Sequence, residues 1–139
     1  MVQLDPYFNF NGNAEEALNF YAETLGGTLQ FSMKWADSPM CKEVPESYGQ
    51  KLMHGTVTLG ENGVIMGSDV PPGRYQPAGG GATSISTKTV EEAQRIFTAL
   101  STGGTVQMPF GPTFWSDGFG MVQDRFGIKW MVSCPKPQA

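Results

Sequence analysis

The chain contains one histidine, His54, and this side chain is the first candidate for acid–base chemistry. Imidazole exchanges a proton near neutral pH, as a general acid or base must. Asp69 is the second candidate, a carboxylate at the end of an apolar run, just before Pro71. A histidine within a strand often serves only as a hydrogen-bonded structural residue, and an aspartate at a strand end often caps a turn. The sequence therefore offers His54 and Asp69 as catalytic residues and leaves structural roles open for both.

The second group of candidates consists of aromatic and methionine side chains that could line an apolar ligand site. A tryptophan in a glycine-containing loop gives a ligand contact area at low entropic cost. Methionine adapts to irregular surfaces because its thioether chain is flexible and polarizable. Packing in the core is the alternative explanation for all of these residues. The predicted ligand-binding residues are Trp115, Phe110, Met66, Met131 and Trp130.

Composition excludes several classes of protein. The 139 residues carry a net charge of -4 without a run of Lys or Arg, so we expect no nucleic-acid partner. No apolar stretch reaches the roughly 20 residues of a membrane helix, and the N-terminus has no signal-peptide pattern. The two cysteines, Cys41 and Cys134, show no metal or redox spacing and indicate reduced thiols. We therefore expect a cytoplasmic protein with no membrane partner.

Two helices with the same sequence signals must position these residues. The segment Glu15–Ala17 recurs as Glu91–Ala93, and each copy ends in Gly-Gly-Thr. Asn13 and Thr89 are N-cap residue types, each followed three positions later by a glutamate, as in a capping box. Apolar residues recur every three or four positions in both copies, which predicts one buried stripe on each helix. The repetition indicates a duplicated module whose helices end in left-handed glycines.

Strand-like segments flank both helices in the same order. One segment precedes each helix, at residues 4–10 and 83–87, and three follow it. The sequence thus predicts an α+β fold of tandem βαβββ modules whose mixed sheet curls around a cavity. We place module one at residues 1–69, a Pro/Gly-rich connector at 70–81 and module two at 82–139, all within a single domain. The following strands are predicted at 28–35, 53–59 and 64–68, and at 105–108, 119–122 and 128–133.

Short motifs accompany the repeated module over nearly the whole chain. The specific ones lie in the second copy, at residues 113–120 and 122–131, whereas the helix motif at 12–21 is more general. Others are found at 7–10 and 67–69. Together they resemble the vicinal-oxygen-chelate superfamily of glyoxalases and bleomycin-resistance proteins, and within it the PhnB-like branch. The resemblance implies that two chains pair, so we expect a homodimer.

The resemblance also implies where a metal would bind. Enzymes of the superfamily typically hold a divalent ion through His and Glu on the first and last strands of each module, and the ion acts as a Lewis acid. Counting along the strands puts these positions at Pro6, Ala82 (or Ser84 if the register shifts by two), Gly67 and Met131. None of them offers an imidazole or a carboxylate. We therefore expect no metal and no cofactor, while a displaced ion held by Asp69 and His54 stays an alternative.

Three functions from different classes fit this sequence. The first is a metal-free protein that binds a small molecule, like the drug-sequestering bleomycin-resistance proteins. The second is an enzyme, a lyase, isomerase or dioxygenase relative that uses His54 and Asp69, with or without a displaced metal. The third is a dimeric interaction module without a ligand. Methyltransferase activity, often assigned to PhnB-like proteins, is not expected, because the glycines close helices or fill connectors instead of forming a cofactor-binding loop.

Overall fold

The computed structural model describes residues 1–137, which divide into two compact units. The first unit is Met1–Pro77 and the second begins at Ala78. Each unit contains a four-stranded mixed sheet and one long helix, in the order βαβββ. The predicted α+β fold with tandem βαβββ modules is confirmed. No helix in the described part of the chain is long and apolar enough to span a membrane.

The first unit has the strand order β1-β4-β3-β2. Strands β1 and β4 pair in parallel, and the other two pairs are antiparallel. Three short 3-10 turns, at residues 35–37, 41–43 and 46–48, connect β2 to β3. The elements are β1 (Tyr7–Phe10), α1 (Ala14–Leu25), β2 (Thr28–Lys34), β3 (Leu52–Thr58) and β4 (Val64–Asp69).

The second unit repeats this topology with the order β5-β8-β7-β6. Three strands differ from their predicted bounds by three residues at one end, and one of them, β6, ends at Gly111 instead of Met108. Strand β1 starts three residues later than predicted, and Leu4 is fully exposed outside the sheet. Strand β7 starts at Ser116, earlier than predicted. The elements are β5 (Thr83–Ser86), α2 (Val90–Ser101), β6 (Thr105–Gly111), β7 (Ser116–Gln123) and β8 (Lys129–Pro135).

Each helix covers one side of its own sheet, and the buried strand residues point towards it. In β4, buried residues alternate with half-buried ones. A Cβ added to Gly67 would lie 2.9 Å from Phe10 Cε2 and 3.5 Å from Leu18 Cδ2, so Gly67 faces the helix. Because side chains alternate along a strand, Met66 and Ser68 face away from it.

Each sheet has one side that faces away from its helix. Residues directly opposite each other on paired strands lie on the same side of the sheet, so strand pairing identifies the residues of that side. We call these two sets of residues the first face and the second face. The first face includes Tyr7, Asn9, Phe31, Met33, His54, Thr56, Met66 and Ser68. The second face includes Ser84, Ser86, Met108, Phe119, Met121, Met131 and Ser133.

The two helices obtain their N-terminal acceptors in different ways. Thr89 caps α2 as predicted, since its Oγ1 accepts a hydrogen bond from the Glu92 backbone N–H at 3.2 Å. The prediction that Asn13 caps α1 is wrong, because its side chain makes no capping hydrogen bond. Asp69 Oδ1 accepts instead from the N–H groups of Gly12 and Ala14, at 2.8 and 2.9 Å. A buried carboxylate is the stronger acceptor, so it displaces the amide.

This difference predicts unequal effects of two matched substitutions. Both Asn13 and Thr89 are exposed, so neither loses core packing when truncated. We expect Thr89→Ala to lower the free energy of unfolding by about 1 kcal/mol, the usual loss for a cap, and Asn13→Ala by less than about 0.5 kcal/mol. Chemical denaturation of both variants measures the difference. Equal losses would contradict the assignment of Asp69 as the acceptor for α1.

The paired glycines after each helix have two separate roles. The first of each pair is left-handed, as predicted, with φ 74° at Gly26 and 73° at Gly103. The second of each pair lies against backbone of the neighbouring hairpin. A Cβ on Gly27 would lie 2.5 Å from the Thr58 carbonyl oxygen, and one on Gly104 would meet the carbonyl oxygen of Gln123. Only glycine fits at these two positions, because any other residue would place a Cβ against the backbone.

Candidate ligand-binding site

The hydrogen-bonded chain around His54 is the main polar feature of the first face. Tyr7 Oη lies 3.1 Å from His54 Nδ1, and His54 Nε2 lies 3.0 Å from Thr56 Oγ1. Both ring nitrogens of the imidazole therefore have a hydroxyl partner. His54 and Thr56 are two residues apart on β3, whereas Tyr7 comes from β1.

Strand order explains how Tyr7 reaches His54. Strand β4 lies between β1 and β3, and its Met66 is paired with Tyr7 on one side and with Thr56 on the other. The phenol of Tyr7 extends over β4 towards the imidazole, with their ring centroids 5.6 Å apart. The Phe31 ring comes from β2, on the other side of β3, and its centroid lies 6.1 Å from that of the imidazole. His54 is thus held between two aromatic rings.

These two aromatic side chains are half exposed, at 46% for Tyr7 and 48% for Phe31. An apolar molecule on the first face could therefore contact both rings without displacing core residues. Both nitrogens of the imidazole are bonded to hydroxyl groups, so Tyr7 and Thr56 would supply the hydrogen bonds to that molecule.

Asp69 lies on the opposite side of the first sheet and has no hydrogen bond to His54. Its side chain is 1% exposed. Oδ1 accepts the two N–H groups at the start of α1, and Oδ2 accepts the N–H of Leu52 at 2.9 Å. The catalytic role predicted for Asp69 does not fit this arrangement, because its oxygens are already occupied and shielded from solvent. Asp69 instead joins the start of α1, the start of β3 and the end of β4.

Tyr48 completes the surroundings of Asp69. Burial raises the pKa of the Tyr48 hydroxyl above its ordinary value, and the negative charge of Asp69 raises it further. The hydroxyl donates a hydrogen bond to the Val70 carbonyl oxygen at 2.7 Å. Trp35 Nε1 donates to the Asp69 carbonyl oxygen at 3.0 Å. These contacts give the end of β4 a structural role.

A cleft of about 420 Å³ opens beside the N-terminus of α1 in the first unit. Its lining includes Lys34, Lys51, Glu15 and Glu16, so charges of both signs meet there. Backbone N–H groups at this end of the helix already donate to Asp69. The cleft is therefore not built as an anion site of the kind that helix N-termini form.

The structure shifts two of the predicted metal positions by one residue. Ser84 is paired with Met131 on the second face, as the shifted register anticipated. The equivalent pair on the first face is Tyr7 with Met66, rather than Pro6 with Gly67. The prediction was wrong because a one-residue slip along a strand moves a position to the opposite face. The corrected positions therefore hold a phenol, a hydroxyl and two thioethers.

These corrected side chains do not fit a divalent metal of the superfamily type, which requires imidazole and carboxylate donors. The only imidazole, His54, is bonded through both nitrogens to hydroxyl groups. Across residues 1–137, no group of three or more His, Cys, Asp or Glu side chains is arranged to hold a metal ion. The displaced ion on Asp69 and His54 also lacks a basis, since these residues lie on opposite sides of the sheet.

The predicted ligand-binding residues divide between the two sides of their sheets. Met66 and Met131 lie on the first and second faces, and Trp115 is 47% exposed in the loop before β7. Phe110 instead packs on Phe97 of α2, with ring centroids 5.6 Å apart. Trp130 is 1% exposed on the helix side of β8. We therefore leave Phe110 and Trp130 out of the candidate site.

Asp124 explains the position of Trp130 and was not singled out from the sequence. Its Oδ2 accepts from Trp130 Nε1 at 2.8 Å, and its Oδ1 accepts the N–H groups of Phe126 and Ile128 at 2.9 and 3.0 Å. The signal was present, since an aspartate followed by Gly127 is typical of a turn in which the carboxylate binds backbone N–H groups. Asp124 is thus the structural carboxylate of the second unit.

Tyr7, Thr56 and Phe31 were also missed by the sequence analysis. Alternation along β2 and β3 could have placed Phe31 and Thr56 on one face with His54. Tyr7 has no comparable signal, because its contact with His54 joins two strands that are not neighbours. The candidate site therefore consists of Tyr7, Phe31, His54, Thr56 and Met66 on the first face.

Comparison with known proteins agrees with the observed fold. The sequence matches the Glyoxalase/Bleomycin resistance protein/Dioxygenase superfamily over residues 3–132. Protein YjdN of Escherichia coli (strain K12) is 29% identical over 145 residues, which cover 99% of this chain and 98% of that protein. The crystal structure of protein PA1353 from Pseudomonas aeruginosa has 42% identity and a TM-score of 0.89, covering 99% of this chain and 100% of the other.

The PhnB protein from Bacillus cereus, provisionally described as a 3-demethylubiquinone-9 3-methyltransferase, has a similar fold. Its TM-score is 0.79 at 22% identity, with 96% of this chain and 99% of the other covered. The likeness extends over both βαβββ units. At this identity it concerns the fold alone.

Proposed function

Because this chain belongs to the glyoxalase/bleomycin resistance/dioxygenase superfamily, we propose that it is a metal-free protein that binds a small molecule on its first face. The observation that carries the proposal is the imidazole of His54, held between Tyr7 and Thr56 on a face with half-exposed aromatic rings. An apolar surface with a few fixed polar groups is the usual composition of a small-molecule site.

The positions that would hold a metal in an enzyme of the superfamily support the same proposal. Tyr7 and Met66 occupy them on the first face, and both side chains suit contact with an organic molecule better than coordination of a hard cation. Phe31 adds a second aromatic wall. The methyltransferase description of the Bacillus cereus relative is not carried over, because Gly26 and Gly103 end helices here.

A second candidate function is proton transfer by an enzyme. The observation in its favour is the hydrogen bond between Tyr7 and His54, through which a phenol and an imidazole could exchange a proton with a bound substrate. Asp69 takes no part in this version. Chemical conversion of the bound compound distinguishes it from binding alone. The homodimer and the cytoplasmic location stay predictions, and sedimentation equilibrium would test the first.

Methionine methyl resonances provide a direct test of binding at the first face. Protein labelled with ¹³C at the methionine methyl groups would be titrated with indole, quinoline, benzoate and benzamide. We expect at least one probe to shift Met33 and Met66 in a saturable way and to be recovered unchanged. Met40, which is 53% exposed in the β2–β3 connection, serves as the internal control.

Matched phenylalanine variants locate the binding surface. Phe31→Ala should lower the affinity for the probe that binds by a factor of roughly ten, since an aromatic contact contributes up to about 1.5 kcal/mol. Phe114→Ala should leave the affinity unchanged, because Phe114 is 89% exposed in the second unit. No shift with any probe, or equal shifts at Met40, would refute the proposed function. Conversion of the probe would favour the enzyme.

A further inference from the structure

We propose that the ligand of the first face is a small aromatic carboxylic acid, bound as the anion, and that its carboxylate holds His54 in the protonated form. This inference rests on the proposed function, since it names the chemical class of the ligand for the same face. It follows from the charges and hydrogen-bond donors around His54.

Within the first unit, the residues that share the face of His54 supply no negative charge. Strand β1 presents Tyr7 and Asn9, β2 presents Phe31 and Met33, and β4 presents Met66 and Ser68. Tyr7 is the only other titratable group among them. The one carboxylate within strands β1 to β4, Asp69, lies on the other side with its oxygens occupied. A protonated His54 therefore has no counter-charge in its own unit, and an anionic ligand would supply one.

The hydrogen-bond partners of His54 determine what the protonated site can bind. An imidazolium donates through both nitrogens, so Tyr7 Oη and Thr56 Oγ1 must both act as acceptors towards it. The hydrogen atoms of the two hydroxyl groups then point away from the ring. Tyr7 is half exposed and presents its hydrogen to a molecule on the face. A hydroxyl donor beside a positive charge is suited to a carboxylate.

The rest of the ligand must be apolar. Phe31 and Tyr7 flank the imidazole, and the side chain of Met66 lies in the pairing row between Tyr7 and Thr56. An aromatic ring can pack on these groups while its carboxylate reaches Tyr7. Burial of the pair beneath such a ring also strengthens the attraction between carboxylate and imidazolium, because it removes water.

Benzoate and benzamide provide the decisive comparison, since they have the same ring and differ in charge. Their affinities for the tag-free full chain would be measured between about pH 5 and pH 8, where histidine changes charge. We expect benzoate to bind at least about tenfold more tightly at the acidic end, because protonated His54 is then available to the anion. Benzamide binding should not change with pH.

Variants of the hydrogen-bonded chain locate the effect. His54→Gln should abolish the pH dependence of benzoate binding and lower the affinity for benzoate at acidic pH. Tyr7→Phe should lower the affinity for benzoate and leave the affinity for benzamide unchanged. Ser84→Ala is the matched control, since Ser84 pairs with Met131 as Tyr7 pairs with Met66. The single histidine also gives one set of imidazole NMR signals, which should shift when benzoate is added and stay in place when benzamide is added at a concentration where it does not bind.

The outcomes separate the inference from the proposed function. Benzoate binding that is independent of pH, or unchanged in His54→Gln, would overturn the inference and leave the proposed function in place. Binding of indole or quinoline without benzoate would have the same meaning. Failure of every probe to shift Met33 and Met66 would refute the proposed function itself. Tight benzoate binding at acidic pH that is lost in His54→Gln would support both.

Discussion

Replacement of Asp69 by alanine should destabilise the first unit by about 3 to 5 kcal/mol, because three backbone donors lose a charged acceptor. The substitution leaves three backbone N–H groups, those of Gly12, Ala14 and Leu52, without their acceptor. Each buried donor without a partner costs about 1 to 3 kcal/mol. Urea unfolding, monitored by circular dichroism, measures the change.

Two further variants test this explanation. Asp69→Asn keeps the volume and one acceptor oxygen. Its free energy of unfolding should therefore lie between that of the wild type and that of Asp69→Ala. Asp37→Ala removes an exposed carboxylate from the same unit and should change the free energy of unfolding by less than about 0.5 kcal/mol. A loss below about 1 kcal/mol in Asp69→Ala would show that Asp69 does not hold these elements together.

Gly104→Ala and Gly27→Ala should each lower the free energy of unfolding by about 2 to 3 kcal/mol, towards the upper end of the usual penalty for overpacking. The new Cβ at position 104 would press on the Gln123 carbonyl oxygen and lie 3.0 Å from Asp124 Cα. At position 27 it would meet the Thr58 carbonyl oxygen. Backbone atoms cannot rotate away as a side chain would, so the helix and hairpin must separate.

Gly111→Ala is the matched control for the glycine variants. No heavy atom lies within 4 Å of a Cβ built at Gly111, and its φ is not positive. Its stability should stay the same or rise by about 0.5 kcal/mol, because alanine restricts the unfolded chain. Thermal unfolding of the three variants measures the contrast. A similar loss of stability in all three variants would mean that contact between the new Cβ and the backbone is not its cause.

The helices and the repeated module could be predicted from the sequence because their signals are local. The N-cap type at Thr89, the period of the apolar residues and the Gly-Gly pairs all act within a few residues of the helix that they define. The order of the helix and strands along each module followed from the repetition and from the resemblance. The bounds of β1, β6 and β7 were less accurate, since pairing with neighbours decides where a strand begins and ends.

The candidate site was only partly predictable for a different reason. His54 and Met66 could be named from residue type alone, but the face on which each residue lies depends on a register that changes with a shift of one residue. Gly67 was placed wrongly for this reason. The contact of Tyr7 with His54 depends on the parallel pairing of β1 with β4, two strands that are far apart in the chain, and no local pattern encodes it.

The different caps of the two helices have a consequence for synthesis on the ribosome. Helix α2 carries its own acceptor at Thr89, so it can be capped as soon as the helix has emerged. Helix α1 depends on Asp69, which is translated 55 residues after Ala14. The nascent first helix therefore has no Asp69 acceptor until β4 has been made. Stable docking of α1 and completion of its sheet should then occur together, late in the synthesis of the first unit.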